Sequence, residues 1–178
     1  MRTTAWMQEV EQRTERLPRS GAFAFSFKFQ EANMAIWHQP MDLQQLNERG
    51  KNTAVEHLGI VITEIGEDYL KGTMPVDHRT LQPMGLLHGG ASVLFAESLG
   101  SLAANYCVNR DKSYCVGMEI NANHLRGVRE GTVTGVARPL HVGVTTQVWE
   151  IKITNPVDKL VCVSRLTMAV VAKSKIGL

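Results

Sequence analysis

Four things are scarce in this 178-residue chain, and each scarcity removes a class of protein. Long apolar runs are missing: none approaches the roughly 20 residues that a bilayer-spanning helix needs. The N-terminus has no apolar signal core and carries Glu9, Glu11 and Glu15, which argue against a transit peptide and make the cytoplasm the expected compartment. Cysteine is sparse. Cys107, Cys115 and Cys162 are odd in number and widely spaced, so they form neither a disulfide framework nor a metal-type pairing and read as reduced, buried small hydrophobes. Net charge is only +2 at pH 7, which gives no case for a nucleic-acid surface. Aromatic residues are few, and four of the five phenylalanines (Phe23, Phe25, Phe27 and Phe29) crowd into one short stretch.

That crowding marks residues 1–33 as an N-terminal extension: an arm, a tag or an overlong start ahead of Met34, with the domain proper at 34–178. The phenylalanines alternate with small or polar residues, the period of a strand or of a sticky arm that packs on a neighbouring subunit. What remains is enough for one domain with a sizeable core, not two. Asp42 and Thr53 are set to cap two short helices that stop at Gly50 and Gly59. Residues 59–65 and 69–76 read as a hairpin. A long helix over 89–108 follows, then strands at 114–125, 131–141, 145–154 and 160–172, rich in Val, Ile and Thr. The last of these has two apolar faces and is expected to be buried on both sides. Short connections favour antiparallel pairing. The expected class is therefore α+β, one long helix wrapped by a curved antiparallel sheet, with an open edge or face completed by a second subunit.

The chemistry concentrates in residues 82–101. A loop ending in His88-Gly89-Gly90 runs into an apolar helical pattern (Val93, Leu94, Phe95, Leu99, Leu102, Ala103). Ala91, Ser92, Ala96, Ser98, Gly100 and Ser101 are small enough to let other backbone pack close. Glu97 is the one ionisable residue in that run, and a carboxylate in a core helix is costly unless paired or put to use. Glu97 and Ser101 share a helix face. The free N–H groups at the helix start suit an oxyanion or a polarised carbonyl. Gly89 and Glu97 are eight positions apart, about 12 Å along a helix, so Glu97 cannot act on an atom held at its own Gly89. Either the two features are unrelated, or a second subunit brings its Glu97 to this Gly89; the latter is the expectation. A phosphate-binding loop fails because no Lys-Ser/Thr follows the glycines. No metal site is expected from Asp77, His78 and His88.

Six segments together carry a family resemblance: Met74-Pro75-Val76-Asp77, Gln82-Pro83, Leu87-His88-Gly89-Gly90, Ala96-Glu97-Ser98, Glu119-Ile120-Asn121-Ala122-Asn123-His124, and Gln147-Val148-Trp149. From Met34 to Val171 the chain resembles the hotdog-fold thioesterases. It is similar to the 4-hydroxybenzoyl-CoA branch, whose long helix carries the catalytic carboxylate. Within that branch the resemblance is greatest to the 1,4-dihydroxy-2-naphthoyl-CoA thioesterases of menaquinone biosynthesis and their paralogues acting on aryl-carrier proteins. The resemblance implies a homotetramer built from dimers, with the active site shared between subunits. Glu97 would be nucleophile or general base, and the Gly89 N–H would polarise the thioester carbonyl. Gln82 and His88 would position the thioester, and Ser101 would orient the carboxylate or water. His124, Arg126 and Arg129 would meet coenzyme A phosphates, guanidinium forks being matched to phosphate oxygens. No cofactor is implied; coenzyme A belongs to substrate and product. The open alternatives are a thioesterase for aryl-carrier protein or medium-chain acyl-CoA, and a non-catalytic acyl-CoA-binding protein.

Overall fold

The computed structural model describes residues 36–175; the N-terminal arm expected at 1–33 lies outside them. Two short helices come first. In α1 (Leu43–Glu48) the Asp42 carboxylate accepts the Gln45 N–H at 2.9 Å, and in α2 (Ala54–His57) the Thr53 hydroxyl accepts that of Val55 at 3.2 Å. Both caps satisfy N–H groups that a helix start leaves bare. Gly59, at φ +68, turns the chain out of α2, a backbone state that glycine adopts without penalty. Strands β1 (Val61–Ile65) and β2 (Leu70–Val76) form the expected hairpin.

The connection after β2, expected as plain loop, holds a miniature hairpin of β3 (Leu81–Gln82) and β4 (Leu86–Leu87). Its turn is Gln82-Pro83-Met84-Gly85, closed by the Gly85 N–H on the Gln82 carbonyl at 2.9 Å, with Gly85 at φ +71. Buried Thr80 anchors this segment. Its hydroxyl donates to the Pro75 carbonyl at 2.8 Å, and its own carbonyl accepts the His88 N–H at 2.8 Å.

Helix α3 (Gly89–Tyr106) follows, then β5 (Ser113–His124), β6 (Gly131–Val142), β7 (Thr146–Thr154) and β8 (Leu160–Ala172). Six strands make one antiparallel sheet in the order β1-β2-β6-β7-β8-β5. α3 lies on one face of it. Phe95, Ala96, Leu99, Ala103 and Ala104 are fully buried against Leu70, Met74, Trp149, Ile151, Leu166 and Met168, each large side chain contributing about 1.5–3 kcal/mol by leaving water. Glycines set the spacing. A Cβ on Gly135 would lie 2.8 Å from side-chain atoms of Leu99 and Phe95, and one on Gly100 would lie 2.7 Å from Leu166 Cδ2.

β8 departs from expectation. Cys162, Ser164, Leu166 and Met168 are buried, but Val163, Thr167, Ala169 and Val171 on the other face are half-buried and Arg165 is exposed. One helix covers one face, and nothing within the described chain covers the other. β5 is a sheet edge and runs back along α3. The Asn105 side chain takes the Cys115 N–H (2.8 Å) and donates to its carbonyl (3.0 Å), so the outer rim of β5 is occupied at that point. Beyond it the rim is unpaired among the described residues. A bulge falls between Gly117 and Glu119, and Val116 and Met118 are exposed.

Candidate active site

His88 is the N-cap of α3. Its Nδ1 accepts the Gly90 N–H at 2.8 Å, which leaves the proton of a neutral imidazole on Nε2, facing outward as a donor. The cap consumes the Gly90 N–H, whereas the Gly89 N–H has no partner among the described residues. An unpartnered N–H thus sits at the positive end of an 18-residue helix. The His124 ring, at the end of β5, leans on the same point: a Cβ on Gly89 would lie 2.8 Å from His124 Nε2. Only glycine gives the backbone here an open approach.

Gln82, Gly89, Ser92, His124 and Arg126 line one cavity of about 350 Å³. Gln82 bends back so that its Oε1 accepts the Met84 N–H at 2.7 Å, leaving its amide N–H groups for a ligand. Arg129 is exposed close by, its Nη1 3.7 Å from where a Gly85 Cβ would stand. Asp77, at the entry to this loop, is held by Arg79 through an Nη2–Oδ2 contact of 2.6 Å. Hydrogen bonds from that guanidinium bring its carboxyl down to about 2. The Asp77 charge is therefore spent on fixing the turn.

Glu97 and Ser101 lie elsewhere, on a second cavity of about 510 Å³ between α3, α1 and the start of β1. Leu46, Val55, Ile60, Ile62, Leu94 and Leu102 make it largely apolar. Glu97 is half-buried on the cavity face of α3 and not sunk in the core as its position in the apolar run suggested; Phe95, Ala96 and Leu99 take the core face. Its Oε1 rests against the backbone of Gly117, 2.5 Å from where a Cβ would be. Ser101 shares the cavity but makes no hydrogen bond to Glu97 among the described residues. The candidate residues thus form two groups at two places on α3, as the helical rise required. Gly117, Arg49 and Arg110 were not singled out from sequence. An isolated glycine inside a strand pattern, a sign of a bulge or a close approach, was the available signal for the first.

An unpartnered N–H at a helix start, an amide beside it and a carboxylate over an apolar cavity are the parts of an acyl-transfer site. The sequence pattern of the thioesterase superfamily matches residues 84–162. Over 137 residues the chain is 58% identical to a Vibrio cholerae protein named, provisionally, as an esterase, covering 77% of this chain and 91% of the relative. It is 51% identical over 135 residues to the 1,4-dihydroxy-2-naphthoyl-CoA hydrolase of Escherichia coli, covering 76% and 98%. A solved Pseudomonas aeruginosa thioesterase bearing a glutamine-to-alanine substitution superposes with a TM-score of 0.76 at 53% identity, covering 77% of this chain and 99% of that one. The chain belongs to the thioesterase superfamily. It is a thioester hydrolase with the hotdog fold, its central helix packed against an antiparallel sheet.

Proposed function

We propose that this enzyme hydrolyses an aromatic acyl-CoA, with 1,4-dihydroxy-2-naphthoyl-CoA of menaquinone biosynthesis as the best candidate, at a site completed by two subunits. The observation that carries this reading is the division of the site along α3. Gly89 with Gln82 and His124 borders one cavity, and Glu97 with Ser101 borders another, about 12 Å further along the helix. Neither half is a thioesterase site alone. The open rim of β5 passes beside both halves, so a two-fold related copy pairing there brings the Glu97 half of one chain to the Gly89 half of the other. Such pairing also covers Val116 and Met118. A tetramer of two such dimers in the cytoplasm completes the reading.

In that site the Gly89 N–H donates to the thioester carbonyl oxygen, where charge develops. One such donor is worth about 3 kcal/mol of barrier. Gln82 and the Nε2–H of His88 hold the thioester sulfur side, while His124, Arg126 and Arg129 meet coenzyme A phosphates. Glu97 then acts by one of two routes. Its carboxylate adds to the carbonyl carbon and expels the thiolate to leave a mixed anhydride that water cleaves, or it takes a proton from a water that attacks directly. The Ser101 hydroxyl, on the same cavity, orients that water. A single turnover in oxygen-labelled water separates the routes. Direct attack puts one labelled oxygen beside the original carbonyl oxygen, whereas product with neither oxygen labelled, the label staying on the Glu97 carboxylate, marks the anhydride.

The test is Glu97→Gln, which keeps size and removes the charge. Thiol release from aryl-CoA thioesters should fall by about 10²–10⁴-fold with the melting temperature and oligomeric state unchanged. Retention of more than about a tenth of the wild-type rate contradicts the role. Mixing Glu97→Gln with Gly89→Ala subunits should restore part of the activity if the site is shared.

A further inference from the structure

The larger cavity has chemically different ends. α3 lines its length with Leu94, Glu97, Ser101, Leu102 and Asn105. Glu97 stands at one end. Nine positions on, about 13 Å along the axis, is Tyr106, which is buried. Two guanidinium groups lie over its ring, that of Arg49 at 5.9 Å and that of Arg110 at 5.2 Å from the centroid. Both arginines line the cavity, whose only acidic side chain among the described residues is Glu97. Among the described residues neither guanidinium makes an ion pair or a side-chain hydrogen bond. The negative end of the α3 dipole favours a cation near Tyr106. It does not account for two guanidinium groups stacked on one ring at the end of an apolar cavity, with their N–H donors unspent.

We propose that the acyl group carries a second acidic oxygen, a carboxylate or an acidic phenol, at the end remote from the thioester, and that Arg49 and Arg110 select for it. This rests on Glu97 marking the thioester end of the same cavity. Stacking on Tyr106 fixes the two forks, and an acidic oxygen arriving through an apolar passage receives charge-assisted hydrogen bonds from them. A neutral acyl group of the same shape gains only the apolar contacts with Leu46, Ile60 and Leu102.

The experiment compares three thioesters on one ring frame: 2-naphthoyl-CoA, 6-hydroxy-2-naphthoyl-CoA and 6-carboxy-2-naphthoyl-CoA. Thiol release gives kcat/KM for the full-length wild type, Arg49→Met, Arg110→Met and the double variant. The wild type should favour at least one acidic substrate over 2-naphthoyl-CoA by about tenfold, a size suited to half-exposed charges. Each single variant should cut that ratio about threefold, and the double variant should bring it near one. Which acidic substrate gains more distinguishes carboxylate from phenol. Because the ratio is taken within one preparation, partial loss of folded protein scales all three rates alike. A wild-type ratio of one overturns the proposal while leaving the aryl-CoA reading standing. A ratio that survives the double substitution overturns it as well. Equal losses on all three substrates leave the ratio intact and therefore overturn it too. A wild type that releases thiol from none of the three sinks this proposal together with the aryl-CoA reading.

Discussion

Gly117 offers a way to move one carboxylate and almost nothing else. Gly117→Ala puts a methyl group 2.5 Å from Glu97 Oε1 and 3.6 Å from its Cδ. Carbon and oxygen do not stay that close, so the oxygen must retreat by about half an ångström or more. The fold has little reason to object. Gly117 is exposed on the rim of β5 and its φ is not in the left-handed region. The atom in the way is the tip of a side chain whose last torsion is soft. Removing a glycine from the unfolded ensemble even stabilises by about 0.4–1 kcal/mol, which in a chain of this size raises the melting temperature by at most a few degrees. Catalysis is less tolerant. A misplacement approaching 1 Å costs up to about 10²-fold, so kcat should fall about 10- to 100-fold with the melting temperature within about 3 °C of wild type. Thiol release with an aryl-CoA substrate gives kcat, and thermal unfolding by circular dichroism gives the control. A variant that keeps more than about a third of wild-type kcat would show that the position of Glu97 against β5 is irrelevant. A drop of more than about 5 °C would show that the carboxylate cannot yield as argued.

Two further expectations come from the core. Trp149 is fully buried, and its Nε1–H donates to Gln147 Oε1 at 3.0 Å, while Gln147 Nε2 donates to the Ala104 carbonyl at 3.3 Å. Trp149→Phe leaves a buried amide oxygen bare, which costs about 1–3 kcal/mol before any lost packing. Urea unfolding should register it with turnover at 25 °C intact, and a change under about 0.5 kcal/mol would mean the bond is idle. Burial pushes the Cys107 thiol up to about 12 and that of Cys115 up to about 11, and raises that of Cys162. At pH 8 all three stay protonated, so the native protein should react with a disulfide reagent far more slowly than the urea-unfolded chain. Above the ordinary thiol range near 8.5 only the unfolded state ionises, so stability should decline as pH rises from about 8 toward 11. Cys107 is half-buried, short of the full burial expected of it, while Cys115 and Cys162 are buried. Fast reaction of the latter two at pH 8 in the native protein would refute their burial.

Most elements were legible because they are punctuated locally. Asp42, Thr53 and Gly59 mark the ends of α1 and α2 by groups that act within a few residues, and β6, β7 and β8 announce themselves by β-branched residues between turn signals. The β3–β4 hairpin was not legible. Two residues per strand carry no periodicity, and only Gln82-Pro83-Met84-Gly85 hinted at a turn. The inferred burial of β8 on both faces also failed, because apolar alternation reports what a face can tolerate and not whether a second layer exists within the same chain.

The candidate site divides along the same line between local and non-local information. That Glu97 and Gly89 could not serve one carbonyl within one chain followed from helical rise alone, a property of eight consecutive residues that no tertiary contact alters. That Glu97 faces a cavity and not the core did not follow, since Leu94 and Leu99 flank it in sequence with equal hydrophobicity and differ only in which side of α3 meets the sheet. Gly117 and Arg110 were silent for a stronger reason. Gly117 is 20 positions from Glu97, and its effect exists only because β5 folds back along α3 at the height where Asn105 ties it down. Arg110, in the polar break after the helix, had every mark of a solvated loop charge until Tyr106 and Arg49, 61 positions upstream, met it at one end of the cavity. What a residue does to its neighbours in sequence can be read from letters; what it does to a residue brought near by the sheet requires the sheet.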